Sequence, residues 1–405
     1  MENIRKYKYV KAFMLCMVFI LFGFTRLWQL TELPRGLHID EAAMAYDAWS
    51  LSQYGVDRHL KSWPVYLANF GGGQSSLYSF LCAFLFKLFG YNIWLVRFPA
   101  VMFSLLNVIF GMKLVRNIYP QNEYLPTATG YLLVLCPYFI MSSRFGLDCN
   151  LMLGMSTVFL YCLMRAIGSG KIIRYAVAGM AGGILLYTYA LVYVILPLFL
   201  VLMILYLLRV KKFLLKGWLT MSVPLGILAF PLVLVQIVNI FDLPEFQLGC
   251  FTITKLDTYR LSEVGSFQIE KMILALHSIF LNDDLAYNSI PGYPNLYGVT
   301  IVFWAVGLLA ALVKIIRSLR CRKMENLAIG LFWFLCVFWL ECHVASNVNK
   351  INGIFFTVIL LAVAGMTTLA DACSRFAVIC HNRLSFGGVN IRRSFQRELN
   401  TSLHL

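Results

Sequence analysis

Long apolar runs separated by short polar clusters are the dominant pattern along this chain. A helix needs about 20 apolar residues to cross a bilayer, and runs near that length recur throughout the sequence. The stretch from Tyr175 to Leu208 begins and ends at basic clusters, which predicts two short or tilted spans with a tight turn near Tyr187 to Tyr193. The pattern as a whole predicts ten spans, at residues 12–30, 94–115, 125–142, 150–166, two within 175–208, 217–240, 298–316, 327–342 and 351–372.

One further apolar run is too short to cross. Leu77 to Phe89 is about thirteen residues long and carries Lys87, which is typical of a helix that lies at the membrane interface. Treating this run as a span would put Lys113, Arg116 and every later basic cluster on the outer side, against the positive-inside rule. The run is therefore predicted to lie on the outer surface.

The basic clusters orient the rest of the chain, because cytoplasmic loops carry an excess of lysine and arginine. The N-terminal cluster, Arg5 to Lys11, is predicted to lie inside, and two large loops, residues 31–93 and 241–297, are predicted to lie outside. The first apolar run lacks a small-residue cleavage site, which indicates a retained span. We expect one transmembrane domain over residues 1–372 and a basic cytoplasmic tail over residues 373–405.

Composition agrees with a membrane protein. The chain is 60% hydrophobic and 13% charged, with a mean hydropathy of +0.75, which is too much apolar surface for a soluble core of this size. Its net charge of +15 does not indicate nucleic-acid binding, because the basic residues fall between spans and form no aromatic-interleaved domain. The eleven cysteines are mostly isolated within apolar runs, which favours packing over a disulfide or metal framework. The predicted fold class is all-α and polytopic, with about ten transmembrane helices and juxtamembrane helices in a large first outer loop.

Two adjacent carboxylates follow the first span, in the segment His38-Ile39-Asp40-Glu41. Acids are scarce, 19 Asp plus Glu in 405 residues, so a pair at the membrane boundary indicates an acid/base or cation site at the water edge. The alternative is structural, because acids in the first turn of a helix cap free N–H groups and favour its dipole. We expect Asp40 and Glu41 to be catalytic and His38 to contact substrate, whereas Asp47 is predicted to be a scaffold or solvated residue.

Two arginines are predicted at the same outer surface. Arg97 lies at the outer end of the second span, where a guanidinium is costly without an anion. It either snorkels or forms a salt bridge to Asp40 or Glu41, or it binds a substrate phosphate, and these roles can coexist in one site. Arg144 follows the third span together with Asp148. In one interpretation Arg144 contacts a phosphate, while Asp148 orients Arg144 or contacts a sugar or a metal. In the other, the two residues form an ion pair at i,i+4.

A polar segment from Glu341 to Asn352 reaches the same surface next to the last span. Its Lys350 is either a phosphate contact or an anchor at the end of the span. His343 has no HxxxH-type partner nearby, so the segment does not indicate a metal site.

These residues belong to an ordered series of motifs. The acidic pair is followed by GGGQSSLYSFLCAFLFKLFG, WLVRFPAVMFSLL and SSRFGLD. The series resembles the GT-C superfamily of membrane glycosyltransferases, and within it the bacterial branch that is similar to protein O-mannosyltransferases and lipid A aminoarabinose transferases. The resemblance is strongest over residues 30–200.

The resemblance implies a hexosyl- or pentosyltransferase that uses a polyprenyl-phosphate sugar donor at the outer face of a bacterial cytoplasmic membrane. It implies Asp40 as the general base on an acceptor hydroxyl and Arg97 as the arginine that meets the donor phosphate. The acceptor would be a cell-envelope glycan, lipid or protein, and the transfer would be inverting. The related oligosaccharyltransferases hold a metal with acids from two outer loops, and here the second of these offers only Asp148. We therefore expect no metal and no other cofactor.

A transporter or lipid-sugar flippase is the main alternative. It would place charged residues or broken helices at the bilayer midplane, whereas this chain carries its charges at span ends and in outer loops. A purely structural assembly protein is a third class, and it would have no need of the acidic pair. The sequence favours the transferase.

Overall fold

The computed structural model describes residues 2–70, 72–257, 265–281, 285, 287–344 and 347–376, with side chains from residue 9 onward. Helices dominate this part of the chain, and two antiparallel hairpins complete it. The helices are α1 (Glu2–Leu27), α2 (Ile39–Tyr54), α3 (Ser76–Phe89), α4 (Ile93–Ile118), α5 (Leu125–Leu135), α6 (Pro137–Met141), α7 (Asp148–Ser169), α8 (Ile172–Leu186), α9 (Val192–Arg209), α10 (Leu215–Ile240), α11 (Ile269–Phe280), α12 (Val299–Cys321), α13 (Ala328–Glu341) and α14 (Asn352–Phe376). The strands are β1 (Tyr66–Leu67), β2 (Gln74–Ser75), β3 (Phe246–Leu248) and β4 (Phe251–Ile253).

Among the described residues, seven helices are long and apolar enough to cross a membrane: α1 from Tyr9 onward, α4, α7, α9, α10, α12 and α14. Three shorter apolar helices, α5, α8 and α13, coincide with the remaining predicted spans. The pair of helices predicted between Tyr175 and Leu208 is present as α8 and α9. The all-α polytopic prediction is therefore confirmed, with fewer full-length spans than the ten that were expected.

Two predicted boundaries are corrected. The span expected at residues 125–142 is not one helix: α5 ends at Leu135 and α6 begins at Pro137. Proline has no N–H and disfavours a helical conformation of the residue before it, and here that residue, Cys136, is extended (ψ 135°), so α5 ends before Pro137. At the other end of the chain, α14 continues to Phe376, beyond the predicted end at residue 372. The rest of the predicted tail, residues 377–405, lies outside the described residues.

The short run that was predicted to lie at the interface forms α3, which connects α2 with α4. The hydroxyl of Ser79 donates to the Met44 carbonyl of α2 at 3.4 Å, and the hydroxyl of Tyr78 donates to the Val96 carbonyl of α4 at 2.8 Å. Gly90, which follows α3, has a positive φ (78°) with an extended ψ (171°), a conformation that glycine adopts readily, and the chain turns there toward α4.

The two predicted outer loops pack against each other. The Val65 amide donates to the Thr252 carbonyl at 3.0 Å, and the Thr252 amide donates to the Ser62 carbonyl at the same distance. An ion pair of 2.6 Å between Lys61 and Glu245 also joins the loops. Both loops therefore lie at one end of the helix bundle, as the charge pattern predicts.

Helices α4 and α7 run in the same direction and touch along their length. A Cβ added to Gly154 of α7 would lie only 2.0 Å from the Phe103 carbonyl of α4, so no larger residue fits this contact. The hydroxyl of Thr157 donates to the amide oxygen of Asn107 at 2.7 Å, the kind of small-residue and polar contact that joins helices in membranes. The first turns of α4 and α7 consequently lie at the same end, next to the two outer loops.

Candidate active site

The start of α2 separates the roles of the two adjacent acids. His38 caps the helix: its ring Nδ1 accepts from the Asp40 amide at 3.2 Å, and its own amide donates to Glu41 Oε2 at 2.9 Å. This is a capping box in which histidine stands where serine or threonine usually does. The carboxylate of Glu41 is thereby turned back into the protein.

Glu41 is fully buried and joins three parts of the chain. Its Oε1 accepts from Arg97 Nε of α4 at 3.2 Å and from the Gly146 amide, just before α7, at 2.5 Å. Arg97 is also fully buried. Its remaining N–H groups donate to the carbonyls of Leu30, Pro34 and Gly36 at 2.8, 3.0 and 2.5 Å.

This geometry contains one of the roles expected for Arg97. The ion pair with an acid of the pair is present, and the partner is Glu41. Carbonyls and this carboxylate accept from the guanidinium N–H groups, and the contact of Arg97 with the donor phosphate stays a prediction. Glu41 makes a structural contact here, and its catalytic role also stays a prediction.

Arg144 does not pair with Asp148, and it lines a separate pocket of about 360 Å³ next to the end of α1 and to α6. Its guanidinium donates only to main-chain carbonyls, those of Thr25 (2.9 Å), Trp28 (2.8 Å), Gln29 (3.0 Å) and Leu33 (2.8 and 3.1 Å). Burial, and secondarily the charge of Arg97, lower the pKa of Arg144 from its ordinary value. The ion pair with Asp148 is therefore not formed, and the contact with a phosphate stays a prediction. Together the two arginines hold several main-chain carbonyls of residues 25–36 in place.

A cavity of about 180 Å³ lies beside this framework. Three of the predicted site residues line it, Asp40, Asp148 and Lys350, whereas Glu41, Arg97 and Arg144 do not. The full lining is Asp40, Gln74, Leu147, Asp148, Cys149, Tyr189, Ala190, Leu191, Tyr287, Asn347, Asn349 and Lys350. The cavity thus gathers the first turns of α2 and α7 and the loop that precedes α14.

The two carboxylates in the cavity differ in how tightly hydrogen bonds hold them. Asp148 is held on both oxygens, by the Ser75 amide at 3.1 Å and by the Cys149 amide at 2.8 Å. Asp40 receives one long hydrogen bond, from Asn69 at 3.4 Å, and its side chain is 34% exposed. Asp148 is therefore a positioned group, while Asp40 is held less tightly and is partly exposed.

His38 lies behind Asp40. Its ring packs on Tyr287 with 4.2 Å between ring centroids, and its Nδ1 is 3.6 Å from Asp40 Oδ2. Tyr287 lines the cavity but His38 does not. His38 therefore reaches the cavity only through Asp40 and Tyr287, and its contact with substrate stays a prediction. Within the described ranges, no three His, Cys, Asp or Glu side chains are grouped to hold a metal ion.

An amide network beneath the cavity was missed by the sequence analysis. Asn288 Nδ2 donates to the side-chain oxygens of Asn150 at 2.8 Å and Asn349 at 2.6 Å. Asn352 Nδ2 also donates to Asn150, at 3.0 Å. These residues come from α7, the second outer loop and the start of α14, and Asn349 is next to Lys350. The network therefore fixes the position of Lys350 relative to α7.

Known proteins resemble this chain over part of its sequence and in its fold. The model of the dolichyl-phosphate-mannose-protein mannosyltransferase family matches residues 73–237. The comparison with curated protein sequences finds no match. The family match covers α3 to α10, including the α4 and α7 segments that carry Arg97 and Asp148.

Solved structures share the fold at low sequence identity. ArnT from Cupriavidus metallidurans bound to undecaprenyl phosphate is 14% identical over 88% of this chain, with a TM-score of 0.52, and its apo form is 15% identical over 89% with a TM-score of 0.57. The archaeal oligosaccharyltransferase AglB from Archaeoglobus fulgidus, in complex with an inhibitory peptide and a dolichol-phosphate, is 12% identical over 92%, with a TM-score of 0.57. The alignments cover 59%, 60% and 52% of those chains, less than two thirds of their length. The resemblance to the GT-C superfamily of membrane glycosyltransferases is thus confirmed at the level of the fold.

Removal of the Asn288 amide should weaken the structure around the cavity. Asn288 has a left-handed backbone (φ 57°), so Asn288→Gly can keep this conformation while it removes the side-chain amide and its hydrogen bonds. We expect a loss of about 1–3 kcal/mol in unfolding free energy, because Asn349 loses the donation from Asn288 and Asn150 loses one of the two amides that donate to it. Thermal unfolding of the purified protein measures it. Asn326→Gly is the control, because Asn326 makes one hydrogen bond of 3.5 Å at the other end of the protein, and equal losses in both variants would contradict the network's role.

Proposed function

We propose that this protein is a glycosyltransferase, a hexosyl- or pentosyltransferase that moves a sugar from a polyprenyl-phosphate donor to an acceptor hydroxyl. The observation that carries the proposal is the partly exposed Asp40 in a cavity shared with Asp148 and Lys350, beside a partner acid that is locked into the fold. The family match and the common fold support the same class. Two structures of that fold hold undecaprenyl phosphate and dolichol-phosphate, which supports a polyprenyl-phosphate donor here.

Asp40 acts as the general base. Its carboxylate takes the proton from the acceptor hydroxyl as the hydroxyl oxygen attacks the anomeric carbon of the donor sugar. The bond from that carbon to the phosphate oxygen breaks, and the polyprenyl phosphate leaves with the bonding electron pair. A single displacement of this kind inverts the anomeric configuration and needs no metal ion.

The departing phosphate meets a positive environment. Lys350 lines the cavity and is the direct contact in this proposal. Three buried arginines, Arg26, Arg97 and Arg144, lie in the neighbouring framework, and together with Lys350 they outnumber the carboxylates of Glu41, Asp40 and Asp148 by one. This excess of fixed positive charge favours binding of an anionic donor and stabilises the charge that develops on its phosphate.

The acceptor and the location follow from the orientation of the chain. The basic clusters favour a site on the outer side of a bacterial cytoplasmic membrane, where cell-envelope glycans, lipids and proteins offer hydroxyl groups. A transporter would be expected to carry charged residues at the bilayer midplane. Here Asp40 and Asp148 occupy the first turns of α2 and α7, which favours surface chemistry over passage through the membrane.

Asp40→Asn should abolish transfer without unfolding the protein, because asparagine keeps the shape of the side chain but cannot take a proton. The test uses source cells lacking the gene, in which mass spectrometry should find the unused polyprenyl-phosphate sugar accumulating. Loss of a general base lowers the rate by about 100- to 10,000-fold, so Asp40→Asn should leave that lipid accumulated. Glu32→Gln changes an exposed acid of the same loop, and this variant should restore transfer, so that the lipid no longer accumulates. If both variants are present in the membrane at wild-type levels and Asp40→Asn also removes the accumulated lipid completely, Asp40 is not the general base.

Lys350→Gln should weaken use of the donor. A hydrogen bond to a charged group contributes about 1.5–3 kcal/mol, so the donor KM should rise by roughly 10- to 100-fold with little change in the melting temperature. Lipid extract from the deletion cells, titrated against purified protein, supplies the donor. Lys255→Gln is the control, because Lys255 pairs with Asp242 at 2.8 Å on the exposed surface. An unchanged donor KM in Lys350→Gln would remove Lys350 from the phosphate site.

A further inference from the structure

A second site lies at the opposite end of the bundle, in a groove between α12 and α14. The two helices begin beside the candidate active site and run away from it, and the groove lies along their second halves. Its volume is about 780 Å³. The lining residues are Val306, Leu309, Ala310, Val313, Lys314, Arg317, Thr368, Asp371, Ala372, Arg375 and Phe376.

The groove begins where the two backbones touch. A Cβ on Gly307 would lie 1.8 Å from the Leu361 carbonyl, and a Cβ on Gly365 would lie 1.9 Å from the Phe303 carbonyl. Such glycine contacts let membrane helices approach closely and fix the point where they cross. Past this crossing the side chains of α12 and α14 no longer fill the space between them, and the groove opens toward the helix ends.

The polar and apolar parts of the groove are separated along its length. Its inner part is walled by Val306, Leu309 and Val313, and the last two side chains are 64% and 56% exposed. Its outer part carries Lys314 and Arg317 of α12 and, across the groove, Arg375 of α14.

The basic end of the groove has an excess of positive charge, and one of its cations is held in position by an aromatic ring. Three cations face one acid, Asp371, which leaves a formal excess of two positive charges at this end. The ammonium of Lys314 is held over the ring of Tyr119 at 5.8 Å from its centroid.

We propose that this groove binds an anionic diacyl phospholipid of the cytoplasmic leaflet. The rise of an α-helix separates Val306 from Arg317 by about 16 Å, which matches the hydrocarbon thickness of one leaflet, about 15 Å. An acyl chain fits the apolar wall while the phosphate lies among the three cations, and each basic residue near a membrane surface contributes about 1 kcal/mol to such binding.

Charge argues against an occupant from the chain itself. The residues after Phe376 include Arg383, Arg392, Arg393 and Arg397 against the single acid Glu398. A segment of that charge is repelled by a basic groove, whereas an anionic head group is attracted to it.

Native mass spectrometry of the full-length protein tests the proposal. The protein is released from detergent after incubation with phosphatidylglycerol or with phosphatidylcholine of the same acyl chains. The wild type should retain phosphatidylglycerol preferentially. The triple variant Lys314→Gln/Arg317→Gln/Arg375→Gln should lose that preference by roughly tenfold or more.

The matched control is Arg320→Gln/Arg322→Gln/Lys323→Gln, which removes the same number of charges from the end of α12 outside the groove lining and should keep the preference. If both triple variants lose the preference for phosphatidylglycerol equally, the effect comes from general surface charge and the proposed site is wrong. Equal retention of the two lipids by the wild type would overturn it as well, and so would displacement of phosphatidylglycerol from the groove by undecaprenyl phosphate. None of these results bears on Asp40 or on sugar transfer.

Discussion

The buried ion pair between Glu41 and Arg97 is the interaction on which the rest of the site depends. Both side chains are fully removed from solvent, and desolvation of two charges is compensated only where the remaining donors and acceptors are satisfied. Here they are satisfied, by three main-chain carbonyls on the arginine and by the amides of His38 and Gly146 on the glutamate. The pair thereby fixes α2, α4 and the segment before α7 relative to one another.

The same pair explains how neighbouring acids come to differ in role. Consecutive residues of an α-helix are rotated by about 100°, so the side chain next to Glu41 points to another face of α2. That face is the cavity, where Asp40 keeps a third of its surface exposed. Glu41 therefore supplies structure, and Asp40 is the acid to which the proposed function gives the chemistry; a rotation of the helix would remove both from these positions. The capping box at His38 sets that rotation.

The sequence predicted the fold better than it predicted the site. Apolar length and basic clusters predicted the helical class and the shared end of the two outer loops, because hydropathy acts locally along the chain. They did not predict the break at Pro137 within an apolar run. In the site, the expected ion pair of Arg97 with one of the two acids is present, but most partners of Arg97 and Arg144 are carbonyls of residues 25–36, which every sequence contains and no pattern reveals. The network of Asn150 and Asn288 joins residues 138 positions apart, a proximity that exists only after folding.

A double-mutant cycle on Glu41→Gln and Arg97→Gln tests the central claim most directly. Loss of one partner of a buried ion pair lowers stability by about 3–5 kcal/mol, because the other charge is left uncompensated. The account predicts that each single variant unfolds at a markedly lower temperature, and that the double variant loses clearly less than the sum of the two. Additive losses would show that the pair is not coupled. A fully stable Arg97→Gln protein that has lost only its use of the donor would contradict the account, because it would make Arg97 a ligand of the donor phosphate.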